Sequence, residues 1–179
     1  MKEKELAFFT REGPQAAKKL LLARRLIEAG VRVVNVSISD FDTHSKNFVR
    51  MKQLVPIVDH AIATLIEDLG ERGMLEDVTV LAWGEFGRTP KVNANAGRDH
   101  WPKVAMAMLA GGGMNVGQVI GATDRYAAEA IQRPVHYKDV IATLYHNLGI
   151  DPQLTTVQDS SGRPHYLLKD CKPIKELIS

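Results

Sequence analysis

Three stretches of the chain space their apolar residues as one face of an amphipathic helix requires. The first covers residues 15–29 and is followed by Gly30, a residue typical of a helix C-terminus. The second contains Pro56, which the pattern places in the first turns or at a kink, and its apolar stripe comprises Leu54, Ile57, Val58, Ala61, Ile62, Leu65, Ile66 and Leu69. The third covers residues 138–148 and is closed by Gly149.

Short apolar runs lie between these helices and predict strands. Residues 31–38 and 78–83 are the clearest, residues 103–109 form a third, and residues 118–123 are a candidate fourth. Strands that alternate with helices predict crossover connections. The expected fold class is therefore α/β, with a largely parallel sheet covered by helices.

Composition narrows the class of protein further. A chain of 179 residues with 45% hydrophobic content predicts one domain over residues 1–179, in which residues 151–179 form a polar C-terminal tail with weak structural signals. The formal net charge of +2 lacks the basic footprint of a nucleic-acid-binding protein. The single cysteine, Cys171, has no CxxC partner and is interpreted as an incidental thiol. No apolar run reaches the length of about 18 residues that suggests a membrane span, and residues 1–14 show no export signal.

Ligand-type side chains follow the first two predicted strands. Asp40, Asp42 and His44 come after residues 31–38, whereas Glu85 and Arg88 come after residues 78–83. In open parallel sheets ligands bind outside the carboxyl ends of the strands, so these side chains are expected to converge there. Carboxylate and imidazole groups suit zinc, manganese and similar divalent ions. The alternative is a solvated turn in which an aspartate caps the next helix.

A second cluster lies in the stretch WGEFGRTPKVNANAGRDHWP, residues 83–102, which is predicted to be a loop. Asp99 and His100 are interpreted as a metal ligand and its orienting carboxylate, or else as a hydrogen-bonded pair that braces the loop. Arg88 could bind a phosphate or sulfate oxygen pair, or bond loop carbonyls. Glu85 could bind a metal, act as a general base or pair with an arginine. The remaining histidines lack such a context, namely His60, His136, His146 and His165.

Three common motifs are absent from the sequence. The run GGGMNVG, residues 111–117, lacks the GxxxxGK[ST] pattern of a phosphate-binding loop, so a hairpin or turn is expected there. The chain has no GxSxG element of a serine hydrolase, and no dinucleotide-binding fingerprint follows residues 31–38.

The combination of LLARRLIEAGVRVVNV, DTHSKNF, GEFGRTP, GRDHWP and ATLYHNLGID resembles the C-terminal part of the DUF1501 family. That family consists of bacterial proteins of uncharacterised function and is related to the alkaline phosphatase and sulfatase superfamily. The resemblance extends from about residue 20 to residue 174. It implies an alkaline-phosphatase-like fold, of which this chain would be the C-terminal half, and an exported or periplasmic protein.

The resemblance also implies a ligand set and a reaction. Asp42 and His44 resemble the first ligand group of the superfamily and His100 the last, whereas Glu85 and Phe86 stand where an aspartate followed by histidine or asparagine is usual. A second departure is the pair at residues 40–41, where the family usually has Gly-Trp. Superfamily enzymes use divalent metals to bind a phosphate or sulfate ester and to activate a serine, threonine or formylglycine nucleophile. That nucleophile is expected outside this chain.

Two functional hypotheses follow. The first is a metal-dependent hydrolase of small anionic phosphate or sulfate esters, with Asp42, His44, Glu85 and His100 as ligands of Zn, Mn, Ca or Mg and Arg88 as the partner of the substrate's charge. The second is a non-catalytic binding or scaffold domain that keeps the fold, which the replacement at Glu85 favours. The ester class, the metal and the oligomeric state stay open.

Overall fold

The computed structural model describes residues 13–178, and these divide into two compact units. Among these residues, unit 1 contains residues 13–74 and Arg88–Trp101, and unit 2 contains Leu75–Gly87 and residues 102–178. The expectation that the start of the chain carries no export signal concerns mainly residues 1–12, which lie outside the described part. Between residues 13 and 178, no helix combines the length and apolar character that crossing a membrane requires.

Unit 1 is built on two helices, α1 (Gly13–Glu28) and α2 (Asn47–Glu71). Both correspond to helices that the apolar spacing predicts. They pack against each other through buried residues that recur every three or four positions, as one helix face requires. These residues are Ala16, Ala17, Leu20 and Ala23 of α1, and Leu54, Ile57, Ala61, Leu65 and Leu69 of α2.

A buried ion pair connects the two helices. Nε of Arg24 lies 2.7 Å from Oδ2 of Asp68, and each side chain is less than one tenth exposed. Arg72 contacts the other carboxylate oxygen of Asp68 at 3.1 Å and Glu28 at 3.2 Å. Because a buried charge without a partner is strongly unfavourable, this network constrains how α1 and α2 pack.

Helix α2 begins earlier than its apolar stripe suggests. Its first residue is Asn47, so Pro56 lies inside the helix and not in its first turns. Pro56 has no N–H to donate to the carbonyl of Lys52, and the helix continues across this missing hydrogen bond. The residue before the helix, Lys46, is in the left-handed conformation with φ of 48° and provides no side-chain cap.

Residues 31–38 are not a strand, so the first predicted strand is wrong. Val34, Val36 and Ile38 are half-buried and alternate with exposed neighbours, which is the burial period of a strand. No segment in the described part of the chain pairs with them. The β-branched residues of this segment indicate a preference for extended backbone. A strand also requires a hydrogen-bonded partner.

The stretch between residues 83 and 102 is not entirely loop. Two short strands, β2 (Gly87–Arg88) and β3 (His100–Trp101), pair with each other. The N–H of Thr89 also donates to the carbonyl of Asp99, at 2.9 Å. This ladder closes the intervening loop and brings Arg88 next to His100.

Unit 2 contains an antiparallel pair, β1 (Thr79–Trp83) and β4 (Ala107–Gly111), in the register Thr79↔Gly111 to Trp83↔Ala107. The predicted parallel sheet covered by helices is therefore wrong: the described residues form four two-stranded sheets, among them the antiparallel pairs β1–β4, Ala122–Thr123 with Ala130–Gln132, and Thr156–Gln158 with Pro164–Tyr166. The reason lies in residues 84–106, which join β1 to β4 and contain no helix. Without a crossover helix the chain turns back, and the second strand pairs antiparallel to the first.

The rest of unit 2 contains helix α3 (Tyr137–Asn147), close to its predicted bounds, and two further antiparallel pairs. These pairs are β5 (Ala122–Thr123) with β6 (Ala130–Gln132), and β7 (Thr156–Gln158) with β8 (Pro164–Tyr166). A small core is formed by Met114, Val140, Ile174 and Leu177, against which Leu81, Leu109, Ile120 and Val135 pack. Residues near the C-terminus thus belong to the core, although residues 151–178 give weak signals in the sequence.

Candidate metal centre

Three side chains of unit 1 bring potential ligand atoms together: Asp42, His44 and His100. Oδ1 of Asp42 lies 3.0 Å from Nε2 of His44 and 3.0 Å from Nε2 of His100. The two Nε2 atoms lie 3.2 Å apart. About half of each side chain is exposed, with relative accessibilities of 63%, 48% and 47%, so the group can be reached from solvent.

These separations fit the coordination sphere of a divalent ion. Ligands about 2.0–2.1 Å from zinc stand about 3.3 Å apart at tetrahedral angles and about 2.9 Å apart at right angles. For a triangle with sides of 3.0, 3.0 and 3.2 Å, a point about 2.05 Å from all three atoms lies about 1 Å off the plane. The three atoms are therefore spaced as three ligands of one such ion would be.

A neighbouring carboxylate orients His44. Nδ1 of His44 lies 2.7 Å from Oδ1 of Asp99. With the proton on Nδ1, the lone pair of Nε2 is available to an ion, which is the arrangement that metal-binding histidines commonly have. Hydrogen bonds from His44, and secondly from Asn93, hold the pKa of Asp99 below its usual range. The sequence paired Asp99 with His100, its neighbour, whereas the structure pairs it with His44, 55 positions away.

Arg88 lies beside the carboxylate of the group. Its Nη1 donates to Oδ1 of Asp42 at 2.6 Å. Hydrogen bonds from His100, and secondly from Arg88, lower the pKa of Asp42 to about 2. Asp42 is therefore ionised at neutral pH, as a metal ligand must be.

Backbone contacts hold the loop that carries Asp42 and His44 against residues 93–99. The N–H of Arg98 donates to the carbonyl of Thr43 at 3.0 Å. The N–H groups of Lys46 and Asn47, at the start of α2, donate to the carbonyls of Asn95 and Ala96 at 3.0 and 2.9 Å. The carbonyls of residues 95–96 thus accept hydrogen bonds from N–H groups at the start of α2, which have no acceptor within the helix.

Gly97 permits this close approach. A Cβ atom at this position would lie 2.0 Å from the carbonyl carbon and oxygen of His44 and 2.4 Å from the nitrogen of Ser45. Both are far inside van der Waals contact, so only glycine fits here without displacement of the loop. Steric contact and hydrogen bonding together fix the position of His44.

An open groove adjoins Asp42 and His44 in unit 1. Its lining includes charges of both signs and polar groups, from Asp40, Asp42, Thr43, His44, Ser45, Lys46, Val49, Arg50 and Gln53. Asp40 forms an ion pair with Arg50. Asp40 is thus part of the groove wall and is not a member of the three-residue group.

Glu85 is placed differently from the other predicted ligands. It belongs to unit 2, in the exposed turn after β1, and is not a member of the group formed by Asp42, His44 and His100. The side chain of Asn93 contacts His44 and Asp99, and sequence reasoning alone assigns it no role. The signal available was only an asparagine in a Gly-rich and Asn-rich loop, which is typical of turns in general.

Taken together, unit 1 is a helical unit whose surface carries a two-histidine, one-carboxylate group beside an arginine. The sequence model described as "Protein of unknown function (DUF1501)" matches residues 2–178. The chain therefore belongs to the DUF1501 family, as its motifs indicate. Neither the curated proteins nor the solved structures include a match to it.

Proposed function

We propose that Asp42, His44 and His100 bind one divalent metal ion, and that the protein uses it to hydrolyse a phosphate or sulfate ester. The observation that carries the proposal is the triangle of ligand atoms with sides of 3.0–3.2 Å, in which Asp99 orients His44. Two imidazoles and one carboxylate favour zinc or manganese over calcium and magnesium, which prefer oxygen ligands. Glu85 is not part of this ligand set.

Each of these side chains has a distinct task in the proposed reaction. His44 and His100 would each coordinate the ion through Nε2, and Asp42 would supply negative charge that partly neutralises it. A bound divalent ion attracts an anionic ester and polarises one of its oxygens. Arg88, which has five N–H donors in a planar fork, orients a second oxygen of the phosphate or sulfate group.

The relationship to the alkaline phosphatase and sulfatase superfamily is part of the proposal. It is supported by the resemblance of the Asp-Thr-His stretch at residues 42–44 and of His100 to ligand groups of that superfamily. We place the nucleophile outside the described residues, and an exported location is proposed on the same basis.

A non-catalytic binding or scaffold role is the second candidate, and one observation favours it. Five side chains of the site also satisfy each other, because Asp42 accepts from Arg88 and His100 while His44 contacts Asp99. Such a network can brace the loops without an ion. The two candidates differ in whether an ion is retained.

Metal stoichiometry decides between them. The protein is equilibrated with Zn²⁺ or Mn²⁺, dialysed extensively and analysed for metal, beside His44→Ala, His100→Ala and the control His146→Ala. His146 is an exposed residue in the last turn of α3 and is not a member of the group. We expect about one retained ion in the wild type and the control, as one complete ligand set implies, and loss in the other two variants. A folded wild-type protein that retains no ion would favour the scaffold role.

A further inference from the structure

The side chain of Asn93 connects the two loops that form the metal centre. Its Nδ2 donates to the carbonyl of His44 at 3.0 Å and to both carboxylate oxygens of Asp99 at 3.3 Å. Its Oδ1 accepts from the N–H groups of Asn95 and Gly97 at 3.0 and 2.9 Å. One amide thus closes its own loop through the oxygen and contacts the His44 loop through the nitrogen.

The two functions of this amide use different atoms. A carboxamide nitrogen has two hydrogens, so one serves the His44 carbonyl and the other is shared by the two oxygens of Asp99. Asn93 thus contacts both oxygens of the Asp99 carboxylate, and one of them, Oδ1, is also bonded to Nδ1 of His44. Any rotation of Asp99 toward solvent would break both contacts.

We propose that Asn93 is a positioning residue for the metal centre. It holds Asp99 in the orientation that keeps the proton on Nδ1 of His44 and the lone pair on Nε2. This inference rests on the proposed metal site, since Nε2 is the atom offered to the ion. Substitution of groups that orient metal-binding histidines typically lowers metal affinity by about 10–100-fold.

Replacement of Asn93 by aspartate separates its role in positioning Asp99 from its role in closing the turn at residues 93–97. Asn93→Asp keeps an acceptor oxygen for the N–H groups of Asn95 and Gly97, so the turn can still close. It removes both donors and places a second carboxylate next to Asp99. Like charges at this distance repel, so Asp99 is expected to turn away from its position beside His44.

The test compares the wild type with Asn93→Asp and the control Asn95→Asp. Asn95 lies in the same loop, is exposed and contacts Lys46 through its backbone carbonyl, so its replacement adds an equal charge without removing the amide of Asn93. Two quantities are measured: the zinc dissociation constant by competition with a chromophoric chelator, and the His44 tautomer from imidazole ¹⁵N shifts of the metal-free protein at alkaline pH. We expect about 10–100-fold weaker zinc binding in Asn93→Asp, loss of the Nδ1–H tautomer, and wild-type values for the control.

A swapped pair covers the case in which Asn93→Asp does not fold. In the double variant Asn93→Asp/Asp99→Asn, the donor and acceptor exchange positions, and the contact between residues 93 and 99 can form again. We expect it to regain part of the Nδ1–H tautomer. The proposal is overturned if Asn93→Asp is folded and keeps the wild-type tautomer, or if the swapped pair has no more of this tautomer than Asp99→Asn alone. If the wild type binds no zinc, the metal proposal fails, while the tautomer comparison still decides the role of Asn93.

Discussion

Replacing Gly97 by alanine is expected to disrupt the proposed metal centre, although Gly97 itself contributes no ligand. The added Cβ would lie 2.0 Å from the carbonyl carbon and oxygen of His44. Observed Cβ contacts are essentially never shorter than 3.0 Å, so the two backbones must separate by at least 1 Å. Metal–ligand distances normally stay within about 0.2 Å of their usual values, so a shift of this size at His44 would move it out of bonding range. The predicted result is therefore loss of metal retention in Gly97→Ala.

The same substitution is expected to lower stability. Added methyl groups in tightly packed regions cost about 1–3 kcal/mol, and 1 kcal/mol corresponds to about 2–4 °C in Tm for a chain of this size. We expect a decrease in Tm of about 2–12 °C by circular dichroism, measured on metal-free protein so that it does not depend on binding.

Gly70→Ala is the matched control, because Gly70 lies in α2 and a Cβ there meets nothing within 4 Å. Alanine is favoured over glycine by about 1 kcal/mol inside a helix, so the control should retain its metal and melt at or above the wild-type temperature. Wild-type Tm and metal retention in Gly97→Ala would refute the steric argument.

Three further predictions concern charged groups. Asp68→Ala removes one of the two carboxylate partners of the buried Arg24, which keeps its contact with Glu28, and should lower the free energy of unfolding by about 1–3 kcal/mol in urea denaturation. Arg88→Lys removes the planar fork and should weaken phosphate binding to the zinc-loaded protein by about 10–100-fold in calorimetry, as loss of a charge-assisted hydrogen bond implies, without loss of zinc. The two hydrogen bonds from Arg133 lower the pKa of Glu176 to about 2. Their stabilisation is therefore present above about pH 4.5 and is lost as the pH falls toward 2. Between these pH values the Tm of the wild type should fall more steeply than the Tm of Glu176→Gln.

Each of these predictions has a control or a contrary outcome. Glu67→Ala changes an exposed acid next to Asp68 and should leave the unfolding free energy nearly unchanged. Unaltered phosphate affinity in Arg88→Lys would remove Arg88 from the proposed anion site. Parallel acid-melting curves for the wild type and Glu176→Gln would show that the ion pair with Arg133 contributes nothing measurable.

The helices could be predicted from the sequence because helical periodicity is local. The stripe from Leu54 to Leu69 needs only one buried face, and α2 provides it. Strand pairing is not local: residues 31–38 have the composition of a strand but no partner in the described part of the chain. The direction of β4 relative to β1 depends on how residues 84–106 fold, and the hydrophobic periodicity of the strands does not predict this.

The sequence likewise predicts part of the candidate site: the ligand-type residues, but not their long-range partners. Asp42, His44 and His100 stand out as ligand-type residues, and the structure brings them together. Two partners are not evident from the sequence, because Asp99 and Asn93 contact His44 across about 50 positions. Glu85 lies in unit 2 and outside this three-residue group, so its role as a ligand stays a prediction.

The loop at residues 93–97 contacts the start of α2 through backbone atoms. The side chain of Asn95 can therefore be replaced by a reactive residue for chemical labelling. Asn95 is exposed and contributes its carbonyl to Lys46, so a cysteine there preserves the same hydrogen bond. The one native cysteine, Cys171, is buried, and burial raises the pKa of its thiol, which slows alkylation. A fluorophore attached to Asn95→Cys would stand close to His44 and could report, in real time, the arrival of a paramagnetic or heavy ion at the cluster.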